Sequence, residues 1–324
     1  MINLKVGEEK MKISIKEKVS LNGFKQKIHI WGTNPDNKIL LFLHGGPGVS
    51  NRHSIKKYHL DLTDEFIVVA WDQRGTGGSY SGVNPDTLTL DQLVEDGFAL
   101  VNYLCDKFHQ EKVYLVGGSW GTELGTFLAY RHPEKIGGYI GYGQVVNGIE
   151  NENRSYKYTL EEATKANDQE AVDTLNRVGP PVNGQYKPVF EGLMAQRKIM
   201  VKYGGHSINN ESYFKGTVLP ILLSTEYNLL DKYGMIKGYK LCLSKMWPTL
   251  VNYDFAKDYH DFKVPYYIFQ GVHDNNTPSS LVQGFYDVIT APKKDLIWFE
   301  NSAHGVLGEE PVKFKTLLRE KFKD

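Results

Sequence analysis

Three side chains, widely separated in a chain of 324 residues, could together activate an oxygen nucleophile. Ser119 lies in Gly117-Gly118-Ser119-Trp120-Gly121, a G-x-S-x-G pentapeptide directly after the apolar run Val113-Tyr114-Leu115-Val116. Asp274 lies in Gly271-Val272-His273-Asp274-Asn275-Asn276-Thr277-Pro278, and His304 in Glu300-Asn301-Ser302-Ala303-His304-Gly305. A serine hydroxyl is a poor nucleophile at neutral pH, so it needs a base in hydrogen-bond reach and an acid that orients the base. Taken singly, each residue has a plainer explanation: a glycine-rich turn, a helix-capping aspartate, a solvated loop histidine. Taken in chain order, each after an apolar strand, they read as nucleophile, orienting acid and base. His273 is the rival base, although it stands in the acid's own loop, one strand before the loop of His304.

The pentapeptide has a steric logic. A serine on a sharp strand-to-helix turn adopts a strained backbone, so the positions two before and two after it must lack side chains. Gly117 and Gly121 fill them. Catalysis of acyl transfer also needs donors around the oxygen that becomes negative. The backbone N–H of Trp120 is one candidate. The other comes from His44-Gly45-Gly46-Pro47-Gly48, where Gly46 is favoured and Gly45 is the alternative, because glycine lets a backbone approach substrate closely.

The elements that must position these groups follow from pattern. Ile39 to Leu43, Phe66 to Trp71, Val113 to Val116 and Ile136 to Gly143 are apolar on both faces, which places such strands inside a helix-covered sheet. Residues 11–16 and 25–31 alternate polar and apolar around Asn22-Gly23, predicting an N-terminal antiparallel hairpin. A helix is expected from Thr89, with Gln92 completing a capping-box pattern and Leu90, Leu93, Val94, Phe98, Val101, Leu104 and Phe108 at helical spacing. Strand and helix alternate, so the strands should be parallel with right-handed crossovers. From about Asn147 to Tyr259 only helical patterns occur, at Leu160 to Lys165, Glu170 to Val178, Val189 to Tyr203 and Val218 to Tyr233. Alternation then resumes: strand at Val264 to Gln270, helix at Pro278 to Ile289, strand at Asp295 to Phe299, helix at Pro311 to Phe322. The expected architecture is an α/β-hydrolase fold, a mostly parallel sheet flanked by helices. Residues 1–146 and 260–324 form the core, with a helical cap of residues 147–259 inserted into it. A helical insertion over a cleft can serve as a lid.

Composition narrows the function. Lys plus Arg and Asp plus Glu are both 38, so no global charge draws nucleic acid or an acidic membrane. Cys105 and Cys242 each sit in an apolar helical pattern, as buried free thiols do, and imply neither a disulfide framework nor a zinc site. Met1 to Lys18 contains no continuous apolar segment, which argues against a signal peptide, and Ile39 to Leu43 is far too short to span a bilayer. The expectation is a cytoplasmic protein with a small-molecule or short-peptide substrate.

Three segments together resemble the proline iminopeptidase family of α/β-hydrolases: His44-Gly45-Gly46-Pro47-Gly48, Asp72-Gln73-Arg74-Gly75-Thr76-Gly77-Gly78-Ser79 and Gly117 to Thr122. The resemblance implies a cofactor-free serine exopeptidase that releases an N-terminal residue, typically proline, from small peptides. By that pattern Ser119 attacks, His304 moves the proton, Asp274 holds the imidazole, and Asp72 and Arg74 brace the floor of the site. Some members of the family carry Glu directly after the acid, where this chain has Asn275. Recognition of a free amine calls for carboxylates near the cleft. The insertion offers Glu150, Glu152, Glu191 and Glu226, for each of which a solvated helix face is the expectation. Two alternatives stand beside the peptidase: an esterase or other small acyl hydrolase on the same fold, and a non-catalytic ligand-binding protein.

Overall fold

Apolar residues on both faces of consecutive short strands drive this chain into a layered α/β structure. The computed structural model describes residues 13–209, 215 and 218–323. The first two strands, β1 (Ile13–Leu21) and β2 (Phe24–Gly32), pair antiparallel around Asn22 and Gly23, which take φ of 46° and 78° as a tight hairpin turn requires. Met11 and Lys12, expected in the same hairpin, lie outside the described residues. The chain continues through β3 (Lys38–Leu43), α1 (Arg52–Tyr58), β4 (Phe66–Trp71), α2 (Leu90–Phe108), β5 (Val113–Gly118), α3 (Trp120–Arg131) and β6 (Ile136–Tyr142). Among the described residues, six helices follow: α4 (Gly148–Lys165), α5 (Gln169–Val178), α6 (Val189–Lys202), α7 (Leu219–Leu223), α8 (Leu229–Leu250) and α9 (Phe255–Asp258). The sheet resumes with β7 (Tyr266–Gly271), α10 (Ser279–Val288), β8 (Lys294–Phe299), α11 (Val306–Glu309) and α12 (Pro311–Phe322).

The eight strands are ordered β1-β2-β4-β3-β5-β6-β7-β8, antiparallel from β1 through β4 and parallel from β4 to β8. Strand periodicity divides the core into two faces. Ile39, Leu41, Leu43, Ile67 and Val69 point toward α2, α3 and α10, whereas Leu40, Phe42, Val68, Ala70 and Val116 point toward α1 and α12. The α2 stripe behaves as its spacing predicts, and Thr89 Oγ1 accepts the Gln92 N–H at 3.2 Å. The reciprocal bond from the Thr89 N–H to the Gln92 side chain is not made among the described residues, and Gln92 Nε2 donates to Asp96.

The helices between β6 and β7 hold a separate small core that includes Tyr156, Leu175, Tyr186, Leu193 and Leu243. The helix expected over Val218 to Tyr233 is in fact two: α7 ends at Leu223, and Asn228 caps a new helix through its side chain on the Asp231 N–H at 2.8 Å. That helix, α8, runs to Leu250 and docks by a pair of glycines one turn apart. A Cβ at Gly234 would collide with the Gly77 carbonyl oxygen, and one at Gly238 with that of Gly75. Cys105 and Cys242 are both buried and unbonded to each other. Among the described residues no helix is long and apolar enough to cross a membrane.

Candidate active site

The turn after β5 has the strain that its glycines predict. Ser119 sits at φ 53°, ψ −124°, in a region that side chains rarely adopt. A Cβ at Gly117 would strike the Gly121 carbonyl oxygen, and one at Gly121 would strike that of Leu43. The two glycines are therefore obligatory where β3, β5 and α3 converge. Ser119 serves as N-cap of α3, so the Trp120 N–H is the first of the helix's unpaired donors and opens toward the turn.

Opposite it lies the loop after β3. Gly46 has φ 117°, and a Cβ on Gly45 would come within 3.1 Å of the Ser119 Cβ. Gly45, Gly46, Ser119 and Trp120 share the wall of one cavity of about 310 Å³. Two neighbours hold this loop. His44 is fully buried; its Nδ1 lies 2.9 Å from the Gly45 oxygen and its Nε2 accepts the Gln73 N–H at 3.2 Å. Burial lowers its pKa to about 4, so the ring stays neutral. Gln73 then ties both halves together, donating Nε2 to the His44 oxygen at 3.2 Å and accepting the Trp120 indole N–H at 2.8 Å.

The acid and base come from the loops after β7 and β8. His304 Nδ1 is 2.8 Å from Asp274 Oδ2, and Asp274 is fully buried. Asp274 Oδ1 also accepts the backbone N–H groups of Asn276 and Thr277, each at 2.9 Å; Oδ2 accepts the Thr277 hydroxyl at 2.7 Å and Gln270 Nε2 at 3.1 Å. Burial by itself would raise the pKa of this carboxyl; the His304 charge and the hydrogen bonds from His304 and Thr277 outweigh it and hold the group below its usual value. Gly143 leaves space for the imidazole, since a Cβ there would lie 2.8 Å from His304 Nδ1.

Ser119 and His304 line the same cavity. Among the described residues no hydrogen bond joins the hydroxyl to the imidazole; His304 Nε2 is met at 3.0 Å by Asn276 Nδ2. An amide donor on Nε2 and a carboxylate on Nδ1 select the tautomer with the proton on Nδ1, leaving the Nε2 lone pair as the basic site. His273, the rival base, is exposed and holds its loop through its backbone N–H on the Ser302 oxygen at 3.1 Å. Asn275 does not enter the cavity wall; its side chain donates to the His273 oxygen at 3.1 Å.

The helices after β6 close over this site. The His206 oxygen accepts the His304 N–H at 3.1 Å, and Asn151 Nδ2 donates to the Asn276 oxygen at 2.9 Å. The expectation of four solvated glutamates in this segment is half corrected. Glu150 and Glu191 are exposed, but Glu152 and Glu226 are buried. Glu152 Oε1 accepts Arg197 Nη2 at 2.5 Å and Asn151 Nδ2 at 3.0 Å. Glu226 pairs with Lys56 at 2.6 Å. Each had a basic partner distant in sequence, which helical spacing does not reveal.

Beneath the glycine loop lies a charge network absent from the sequence reading. Arg52 is fully buried, and its Nη2 is 2.9 Å from both Asp72 Oδ2 and Asp231 Oδ2. Its Nη1 donates to His29 Nε2 and the Glu226 oxygen, each at 2.9 Å, and its guanidinium lies 4.5 Å from the centre of the Tyr227 ring. Lys27 adds a second cation to Asp231 at 2.6 Å. Asp72 also accepts the Ser50 hydroxyl at 2.6 Å and the Gly78 N–H at 2.9 Å. Arg74 instead grips Asp96 through two nitrogens, at 2.6 and 2.9 Å. Asp72 thus holds the Ser50 hydroxyl and the Gly78 backbone, Arg74 holds Asp96, and neither lines the cavity.

A family model described as the alpha/beta hydrolase fold matches residues 38–172. The chain is 29% identical to the probable aminopeptidase YbaC of Bacillus subtilis (strain 168), over 96% of each protein. It is 24% identical to a proline iminopeptidase of Clostridioides difficile (strain 630), over 92% of this chain and 94% of the other. A solved proline iminopeptidase-related protein from Thermus thermophilus superposes with a TM-score of 0.67 at 18% identity, over 96% of this chain and 98% of that one. The chain has the α/β-hydrolase fold, and the full-length relatives it is similar to carry the names aminopeptidase and proline iminopeptidase.

Proposed function

We propose that this protein is a serine hydrolase that releases the N-terminal residue of small peptides through an acyl-enzyme, as its relatives' names suggest. The observation that carries the reading is the strained Ser119 in one cavity with His304, whose Nδ1 is 2.8 Å from a buried Asp274. Ser119 Oγ attacks the carbonyl carbon as its proton passes to His304 Nε2, from which Asn276 Nδ2 withdraws. The N–H groups of Gly46 and Trp120 receive the developing oxyanion. Asp274 stabilises the imidazolium, which then protonates the departing amine, and water reverses the sequence to free the acid. In this reading residues 147–259 form a cap over a core of residues 1–146 and 260–324, and the cap shapes the pocket for the substrate.

A second reading, hydrolysis of small esters by the same residues, draws on Asn275 standing directly after the acid, where the family resemblance implies Glu in some members, and on the pairing of Glu152 with Arg197. A fluorophosphonate probe should label Ser119 stoichiometrically; a folded protein that takes up no label refutes the nucleophile assignment. Prolyl and other aminoacyl arylamides, compared with short-chain aryl esters, separate the two readings, and activity on esters alone at every pH removes the peptidase.

A further inference from the structure

One carboxyl group in the cavity wall has no part in the proposed triad. Glu123 stands one helical turn after Ser119 in α3, and helical side chains lean back toward the N-terminus, here toward the elbow. It is 5% exposed, and its Oε2 has no hydrogen-bond partner among the described residues. Burial drives its pKa well above the carboxylate range. Trp120, Val145 and Leu250 line the same cavity, so Glu123 faces a partly apolar space. A buried polar group without a partner is costly, and native proteins seldom keep one except where something else completes it. The cavity's other buried carboxylate, Glu152, already has a guanidinium on Oε1, although its Oε2 is also unpartnered. Glu123 is therefore the carboxyl without a cation.

We propose that Glu123 anchors the free ammonium group of the substrate while Ser119 attacks the adjacent carbonyl. The inference rests on the aminopeptidase reading and adds the residue that selects for the amine. In an aminoacyl substrate one carbon separates the amine from the scissile carbonyl, so the anchor must lie within one side chain's reach of the nucleophile. A residue one turn along the nucleophile's own helix, about 5.4 Å of rise, meets that condition. Protons balance by either of two routes. Glu123 releases its proton to water as an ammonium docks, or passes it to a neutral amine, and both end in the same ion pair. The substrate class is small acyl compounds with an unblocked primary or secondary amine.

The test compares wild type with Glu123→Gln, which keeps the shape of the protonated acid, and with Glu152→Gln. Binding of pyrrolidine and of tetrahydrofuran, an uncharged ring of similar size, is read from ligand-dependent melting at fixed pH, which requires no turnover. Wild type should favour pyrrolidine, and Glu123→Gln should lose the preference. In kinetics, the ratio of kcat/KM on aminoacyl arylamides to that on their N-acetylated counterparts should fall roughly 10- to 100-fold, mostly through KM, as expected when one partner of a charged hydrogen bond is removed. No preference in wild type, an undiminished preference in Glu123→Gln, loss in Glu152→Gln alone, or equal losses on both substrates would each overturn the inference. A wild type that binds pyrrolidine through Glu123 but cleaves only esters would retain the amine site and sink the peptidase reading.

Discussion

Replacing Arg52 by Met is the sharpest test of what holds the glycine loop against the helices that cover it. Met keeps much of the volume and removes the guanidinium that stands between Asp72 and Asp231, 2.9 Å from each. Asp231 retains Lys27, and Asp72 retains the Ser50 hydroxyl and the Gly78 N–H, so Asp72 is the charge left without a cation. Removing one member of a buried ion pair costs about 3–5 kcal/mol, because the remaining charge stays desolvated. An unfolding entropy of about 2.1 cal/mol/K per residue over 324 residues gives about 0.7 kcal/mol/K, so the expected drop in Tm is about 4–7 °C. The assay is thermal melting of Arg52→Met, Asp72→Asn and the double variant. The double variant should recover part of the loss, since it removes the stranded charge together with its partner. A single variant that melts within about 1 °C of wild type, or a double variant whose losses simply add, would refute the argument that the charges are mutually compensating.

Other outcomes follow from the site. His304→Ala should lower kcat at least ~10³-fold and His273→Ala far less, measured on whichever substrate the panel identifies; the reverse order would transfer the role of base. Asp274→Asn should cost roughly 10³- to 10⁴-fold in kcat, because an amide at this position favours the wrong imidazole tautomer. Gly121→Ala should yield little folded protein, or protein destabilised by about 1–3 kcal/mol or more, since the new methyl meets the Leu43 backbone oxygen; normal expression and melting would contradict the packing described here. Glu123→Gln should raise Tm at neutral pH. A carboxyl whose pKa is raised on folding binds its proton more tightly in the native state, so it costs stability as pH rises from the ordinary carboxylate range toward its folded value. The advantage of Gln should therefore widen as pH rises above the ordinary carboxylate range, and a constant or shrinking difference would be inconsistent with a buried neutral acid.

Local chemistry made much of the fold legible in advance. Strands apolar on both faces belong at the centre of a covered sheet, and β3, β4 and β5 lie there. Asn22-Gly23 specified a turn with two positive φ values and formed one. Asp274 and His304 could be picked out by their loops, and the structure places their side chains 2.8 Å apart. What escaped was decided by partners remote in sequence. Nothing about Glu226 or Asp231 marks them as buried until Lys56, Arg52 and Lys27 are brought beside them. Glu123 was hidden differently, since one acid in the first turn of a helix reads as an ordinary partner for the helix dipole. Its apolar surroundings include Val145 and Leu250, which only the fold brings beside it. Asn276 and Thr277 were within reach of sequence reasoning, because residues two and three after a buried aspartate are those its carboxylate most readily caps.

The split of the sheet by the helices between β6 and β7 also sets an order in time. During synthesis the elbow serine exists as soon as residue 119 is added, whereas the proposed base arrives 185 residues later. At about 5–20 residues per second that interval is roughly 10–40 s. Throughout it the nascent chain carries the serine without the proposed base. On the proposed assignment, reactivity waits until β7 and β8 have joined the sheet and brought Asp274 and His304 together. If the proposed triad holds, a partly made or misassembled molecule lacks the pair that would activate the serine.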